Sequence, residues 1–285
     1  MIQPNVALAK LTSWHIGGSA QWYIRPQSMT ELQKIVKEAK QPVTWLGLGS
    51  NVLIRDAGIK GLVIGTRALN QIYDVGINQI FCEVGVTSAK LARMTQQCHL
   101  SGGEFFAGIP GTIGGALAMN AGAFGGETWR VVKNVTVINQ SGELSTYLPH
   151  DFEIGYRKIK PLFNDFLGFV GATFEFKSSQ APLESHHIRD LLNKRKATQP
   201  IGTLNCGSVF RNPYPEYAAG LIEAAGLKGC QIGNAKVSEK HANFIINLGQ
   251  ATAYDVEQLM SKIQKTVHLK FNIWLEPEVK ILGYF

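Results

Sequence analysis

"GIPGTIGGALAMNAGAFGG", residues 108–126, carries seven glycines in nineteen residues. Glycine loses more conformational freedom on folding than any other residue, so this density points to backbone that something approaches closely. A bulky planar ligand with phosphates suits such a stretch. The wider uncharged run from Phe105 to Gly126 also holds Pro110 and Asn120, which fits a ligand-binding loop and excludes a membrane helix.

A second loop, "GLGSN" at 47–51, starts like a dinucleotide fingerprint. Val52 stands where a third glycine belongs, and "VLIRD" continues as strand. A Rossmann site needs a helix N-terminus there to hold a pyrophosphate, so none is expected. Small residues still let main-chain N–H groups turn inward around an anion; an ordinary tight turn explains this loop equally well. Together the two loops could cradle the two ends of one dinucleotide, with FAD the leading candidate. The expected contacts are Gly47, Gly49, Ser50, Asn51 and Val52 in one loop and Gly111, Thr112, Gly114 and Gly115 in the other. Neither loop contains histidine or cysteine, so noncovalent binding is expected.

Around these loops the chain reads as an ordinary folded protein. Its 285 residues are 45% hydrophobic and 17% charged, which excludes disordered and fibrous classes. The balance of 28 Lys+Arg against 21 Asp+Glu gives +7, yet the charge is dispersed. The densest run, Lys194-Arg195-Lys196, has no interleaved aromatic residues and reads as the solvated end of a helix. A small anionic metabolite is the better partner; neither nucleic acid nor a membrane is expected. "MIQPNVALAK" has no basic segment followed by an apolar core, so a cytoplasmic chain is expected. Cys82, Cys98, Cys206 and Cys230 lie too far apart for a CxxC pair and read as reduced, buried thiols.

Ser28 with Glu31 is a capping box, followed by Leu32, Ile35, Val36 and Ala39 at helical spacing; this predicts helix 29–40. Strands are expected at 43–46, 52–54, 61–65 and 80–86, a helix near 87–99 and a hairpin over 131–147. "KSSQAP" after Phe176 is a polar connector, which places a domain boundary there. Beyond it, helices are expected near 184–197, 216–226 and 254–270, and strands near 243–248 and 272–282. The sum is an α+β architecture in two parts.

Eight blocks in order carry a resemblance: "TSWHIGGSAQWYIRP", "GLGSNVLIRD", "GIPGTIGGALAMNAGAFG", "YRKI", "QPIGTLNCGSVFRNP", "AAGLIEAAGLKG", "VSEKHANFIIN" and "LEPEVKILG". Together they resemble the UDP-N-acetylenolpyruvoylglucosamine reductase (UDP-N-acetylmuramate dehydrogenase) family, in its shorter form. The resemblance implies an FAD-binding domain of the vanillyl-alcohol-oxidase/p-cresol-methylhydroxylase type, in two α+β parts, over 1–178. A smaller α+β substrate-binding domain would cover 179–285. It further implies a noncovalent FAD, NADPH as cosubstrate, a UDP-sugar substrate and a role in peptidoglycan precursor synthesis. A monomer is expected.

In such a reaction hydride goes to the methylene of an enolpyruvyl ether, and charge develops at the neighbouring carbon and its carboxylate. The site needs a cation near the carboxylate and a proton donor on the carbon. Ser208, in "NCGSVFRNP", lacks the G-x-S-x-G elbow because position 210 is Phe, so it is no nucleophile. The resemblance makes it the proton donor. Arg157 supplies a guanidinium that cannot lose its charge and pairs bidentately with a carboxylate; the resemblance places the catalytic arginine there. Spacing does not choose between Glu276 and Glu278, which would face one way in a strand; the family motif implies Glu278. Asn212, Lys228 and His241 are implied as substrate contacts, His241 standing where longer members tend to carry Gln. The remaining histidines show no metal spacing, and no metal is expected. Alternatives are an oxidase on the same type of flavin domain and a catalytically silent UDP-sugar-binding or nucleic-acid-binding protein.

Overall fold

The computed structural model describes residues 1–179 and 185–284, with 185–187 described by backbone alone. Grouped by contacts, the chain forms two units that interleave along the sequence and do not divide at 178/179. Unit 1 comprises Ile24–Gly47 and Ile64–Arg195 with Met1; unit 2 comprises Ile2–Tyr23, Leu48–Val63 and Lys196–Phe285.

Unit 1 is built on a five-stranded antiparallel sheet. Its central strand, Gly168–Glu175, lies between Val132–Ile138 and Gln79–Glu83, with Leu144–Tyr147 and Ile72–Gly76 outermost. The run "GFVGATF" is buried on both faces, as a continuous apolar stretch requires. Helix α1, Met29–Glu38, begins where Ser28 Oγ accepts from the Glu31 N–H at 3.2 Å and the Glu31 carboxylate accepts from the Gln27 N–H at 2.7 Å. It buries Leu32, Ile35 and Val36 and stops short of the expected residue 40, ahead of Pro42, which disfavours helix in the residue before it. Helix α2, Ser88–Gln97, is capped by Thr87, whose hydroxyl accepts from the Lys90 N–H. Helix α3, Ile113–Ala118, lies inside the glycine-rich stretch.

Helix α4 spans Ser185–Thr198; its expected first residue, 184, and Gln180–Pro182 of the connector lie outside the described residues. The basic run at its end is corrected in one respect. Arg195 is not a solvated cation: it is largely withdrawn from water, and its guanidinium donates to the Gly108 carbonyl at 2.8 Å.

Unit 2 joins the chain's two ends. Strands Gln3–Ala7, Ser19–Ile24 and Ile59–Gly65 are neighbours in one sheet, and Val52–Ile54 pairs in parallel with Lys280–Leu282. A small antiparallel sheet holds Gln231–Ile232, Ala235–Val237 and Ile245–Asn247. Helix α5, Ala218–Ala224, and helix α6, Ala253–Phe271, pack in the same core. The face of α6 read from the sequence, Val256, Leu259, Met260, Ile263 and Val267, is buried. Trp14, from the N-terminal segment, is fully buried in this core and donates its indole N–H to the Ile245 carbonyl at 2.8 Å.

The expected strand 272–282 shrinks to Lys280–Leu282. Asn272 takes left-handed backbone (φ +55°) to end α6, and Pro277 has no N–H to donate to a ladder. Cys82 and Cys206 are buried and Cys98 and Cys230 half-buried, all four as free thiols.

Candidate active site

In unit 1 the glycine-rich stretch is half helix, half hairpin. After α3 the chain turns through Gly122–Ala123 and Gly126–Glu127, which pair antiparallel. Thr112 is buried, and a Cβ on Gly47 would lie 2.6 Å from its hydroxyl; the first residue of "GLGSN" therefore touches the second glycine loop. Ser88 donates its N–H to the Gly111 carbonyl at 3.1 Å, and Thr87 bridges Thr112. The hydroxyls of Ser88 and Thr112 are both buried with no hydrogen-bond partner among the described residues. Leaving a buried hydroxyl unsatisfied costs about 1–3 kcal/mol, so this locus suits a polar ligand group. The N–H groups of Ile113 and Gly114 are taken by the Val86 and Val84 carbonyls, at 2.8 and 2.9 Å. A Cβ at Gly115 would meet nothing within 4 Å.

Arg157 sits in the turn between strands Phe152–Gly155 and Lys158–Pro161, in left-handed backbone (φ +54°). Its guanidinium donates to the main-chain carbonyls of Asn120 and Gly122, at 3.2 and 3.0 Å, and lies over the Tyr156 ring. Lys158 and Lys160 are exposed, and Lys158 pairs with Glu153 across the hairpin at 2.9 Å. Of the three cations in "YRKI" and its continuation, the arginine alone turns onto the glycine loop.

In unit 2 the residues around Ser208 are held from both sides. The Asn243 carbonyl accepts from the Val209 N–H, while the Asn243 side chain accepts from the Phe210 N–H and donates to the Phe210 carbonyl, at 3.0 and 2.8 Å. On the other side the Val209 carbonyl accepts from the Glu278 N–H at 2.8 Å, and Arg211 donates its N–H to the Glu276 carbonyl. Ser208 is thus one residue from the backbone contact of Glu278. Upstream, Asn205 accepts from the Gly207 N–H at 2.9 Å.

Glu276 and Glu278 differ sharply. The exposed Glu276 side chain pairs with Arg211 at 3.3 Å. Glu278 is half-buried. Burial, and then the Glu278 charge, push the Cys206 thiol well above its ordinary value. Gly49, at φ +64°, sits where a Cβ would strike the Leu11 carbonyl at 2.3 Å. Asn51 donates its side-chain amide to the Glu278 carbonyl, and its own carbonyl accepts from the Lys280 N–H; Val52 opens the parallel strand pair.

Asn212 Oδ1 accepts from the Ala218 N–H at 3.1 Å, at the start of α5. Lys228 pairs with Glu223 at 2.6 Å. His241 stands close to both. Burial holds its pKa below the ordinary value; the charge of Lys228 acts in the same direction, against its own main-chain hydrogen bond and Glu223. Its Nδ1 is buried without a partner among the described residues. The part played by Asn243 is not legible in the sequence, since a side-chain amide that replaces a strand partner leaves no periodic signal.

Residues 199–282 match the family model described as "UDP-N-acetylenolpyruvoylglucosamine reductase, C-terminal domain", and residues 20–147 match one described as "FAD binding domain". UDP-N-acetylenolpyruvoylglucosamine reductase of Coxiella burnetii is 48% identical over 97% of this chain and 94% of its own. The chain belongs to the UDP-N-acetylenolpyruvoylglucosamine reductase family. The like-named protein of Methylococcus capsulatus is 45% identical over 97% of this chain and 91% of its own. The crystal structure of UDP-N-acetylenolpyruvylglucosamine reductase from Thermus caldophilus superposes with a TM-score of 0.83 at 31% identity, covering 99% of this chain and 100% of that one. As a member of this reductase family the chain is an FAD-binding oxidoreductase of α+β class. The buried hydroxyls of Ser88 and Thr112 fit a phosphate of that cofactor. Among the described residues, no helix is long and apolar enough to cross a membrane.

Proposed function

We propose that the chain catalyses the NADPH-dependent reduction of UDP-N-acetylglucosamine enolpyruvate to UDP-N-acetylmuramate, a step of peptidoglycan precursor synthesis. The two glycine loops hold FAD noncovalently and the segment 196–285 supplies the sugar-nucleotide contacts, in a monomeric enzyme of the cytoplasm. Gly47, Gly49, Ser50, Asn51, Val52, Gly111, Thr112, Gly114 and Gly115 line the cofactor. Once bound and reduced by NADPH, FAD supplies the hydride that goes to the enolpyruvyl methylene.

Arg157 neutralises the charge that develops on the substrate carboxylate, a role that needs a permanent planar cation. Ser208 gives its hydroxyl proton to the carbon beside that carboxylate, which becomes basic enough to take it. Glu278 orients the reacting groups by hydrogen bonding. Lys228 offsets the diphosphate, and Asn212 and His241 fix the sugar nucleotide.

The single observation that most supports this reading is the backbone contact of Glu278 with Val209, which sets the candidate acid and the candidate carboxylate on facing segments. Glu276, tied to Arg211 in solvent, is poorly placed for the same task. The test is a purification followed by an anaerobic titration. A yellow protein should bleach with NADPH and regain colour when the enolpyruvyl sugar nucleotide is added. A colourless protein, or one recoloured by oxygen alone, overturns the proposal.

A further inference from the structure

Asn120 is 1% exposed and holds left-handed backbone, φ +45°, a conformation that asparagine tolerates better than most L-residues. Each polar group of its side chain is used. Oδ1 accepts from the Trp129 N–H at 3.1 Å; Nδ2 donates to the Gly155 carbonyl at 3.2 Å and to Glu127 at 3.4 Å. Its main-chain carbonyl accepts from the Arg157 guanidinium at 3.2 Å. One residue of the glycine loop therefore ties down the root of the hairpin turn that carries Arg157 and also holds the head of that arginine. Two residues on, Gly122 supplies the second carbonyl, and a Cβ there would lie 3.2 Å from the guanidinium. Trp129, anchored through Asn120, packs its ring on Phe152 at the start of the same hairpin, with ring centres 4.8 Å apart.

We infer that Asn120 is the positioning residue for Arg157, setting the direction of the guanidinium through the Gly155 tie and its own carbonyl. This rests on the catalytic reading of Arg157 proposed above. Both of these acceptors are main-chain carbonyls of the glycine loop, so the loop's backbone sets the direction of the guanidinium. A misplacement on the order of 1 Å can cost up to about 10²-fold in rate. The side chain of Asn120 thus acts on catalysis without itself touching substrate.

The test is a double-mutant cycle on the FAD-loaded enzyme with N120G and R157A. Glycine keeps the left-handed backbone and the carbonyl but removes every side-chain tie. The expected result is turnover lowered about 10-fold or more in N120G and further in R157A, with flavin reduction by NADPH near normal in both. The double variant should be no slower than R157A alone. Additive losses, or an N120G enzyme as fast as the parent, overturn the inference. An R157A enzyme with parental turnover sinks the catalytic reading of Arg157 instead. A crystal structure of N120G then decides the inference on its own: a guanidinium still seated on the carbonyls of residues 120 and 122 refutes it, and a displaced one supports it. If N120G fails to fold, N120D, which keeps the acceptor for Trp129 and loses the donor to Gly155, is read in the same way.

Discussion

Asn51 donates its side-chain amide to the main-chain carbonyl of Glu278, 3.1 Å away. A loop residue read from the sequence as a cofactor contact is thereby also a strut for the candidate catalytic carboxylate. Asn51→Ala should lower stability by about 1 kcal/mol, the ordinary net worth of one such bond. The measurement is a urea titration, where the midpoint should fall with the slope unchanged. A midpoint equal to the parent's removes the strut from the account.

Ser208→Ala separates the two half-reactions. Flavin reduction by NADPH should stay near the parental rate, while turnover with the enolpyruvyl sugar nucleotide falls on the order of 10²-fold or more, as for loss of a proton donor. Stopped-flow absorbance follows each half-reaction directly. Equal losses in both would assign the serine to folding or cofactor binding.

His241 gives stability a pH dependence of known sign. Burial keeps the folded histidine below its ordinary value, so on acidification the unfolded chain takes up a proton first. The unfolded state then binds more protons, and stability falls as pH drops through the ordinary histidine range near 6.5. His241→Gln should flatten that part of the profile. Denaturant midpoints of parent and variant between pH 7.5 and 5.5 measure it; parallel curves would contradict the assignment.

The thiols should divide by burial. Burial pushes the Cys82 and Cys206 thiols far up, Glu278 adding to the effect on Cys206, and a thiol must ionise to react. In the native protein at pH 8 an aromatic disulfide reagent should label the half-buried Cys98 and Cys230, with Cys98 slowed because partial burial and then the Asp74 charge raise its thiol too, and reach the other two only after denaturation. Rapid native labelling of Cys206 would show that the segment before Ser208 opens readily.

Local signals survived where a few neighbouring residues decide the outcome. The Ser28 cap started α1, though Glu31 reaches back to the Gln27 N–H and not to Ser28 to close a box, and the stripe from Val256 to Val267 defined the buried face of α6. The eight blocks carried the family. What escaped depends on partners far away in sequence. The central strand Gly168–Glu175 shows no alternation because both faces are buried, and no strand was expected there. The turn bearing Arg157 is a hairpin whose pairing emerges only in register. Glu276 and Glu278 could not be told apart by spacing, since the difference lies in Arg211 and Cys206. Arg195 looked like solvent-facing charge because nothing local announces that the Gly108 carbonyl awaits it.

The bond from Trp14 to Ile245 spans 231 residues, and this has a consequence for the chain's birth. At a synthesis rate of about 5–20 residues per second, the tryptophan leaves the ribosome roughly 10 to 50 s before its acceptor exists. For that interval a large apolar ring must wait in water or in a chaperone's grip. Nonsense truncations that remove only the last few dozen residues should therefore leave the earliest-made segment without a home, and cells should clear them as readily as gross fragments.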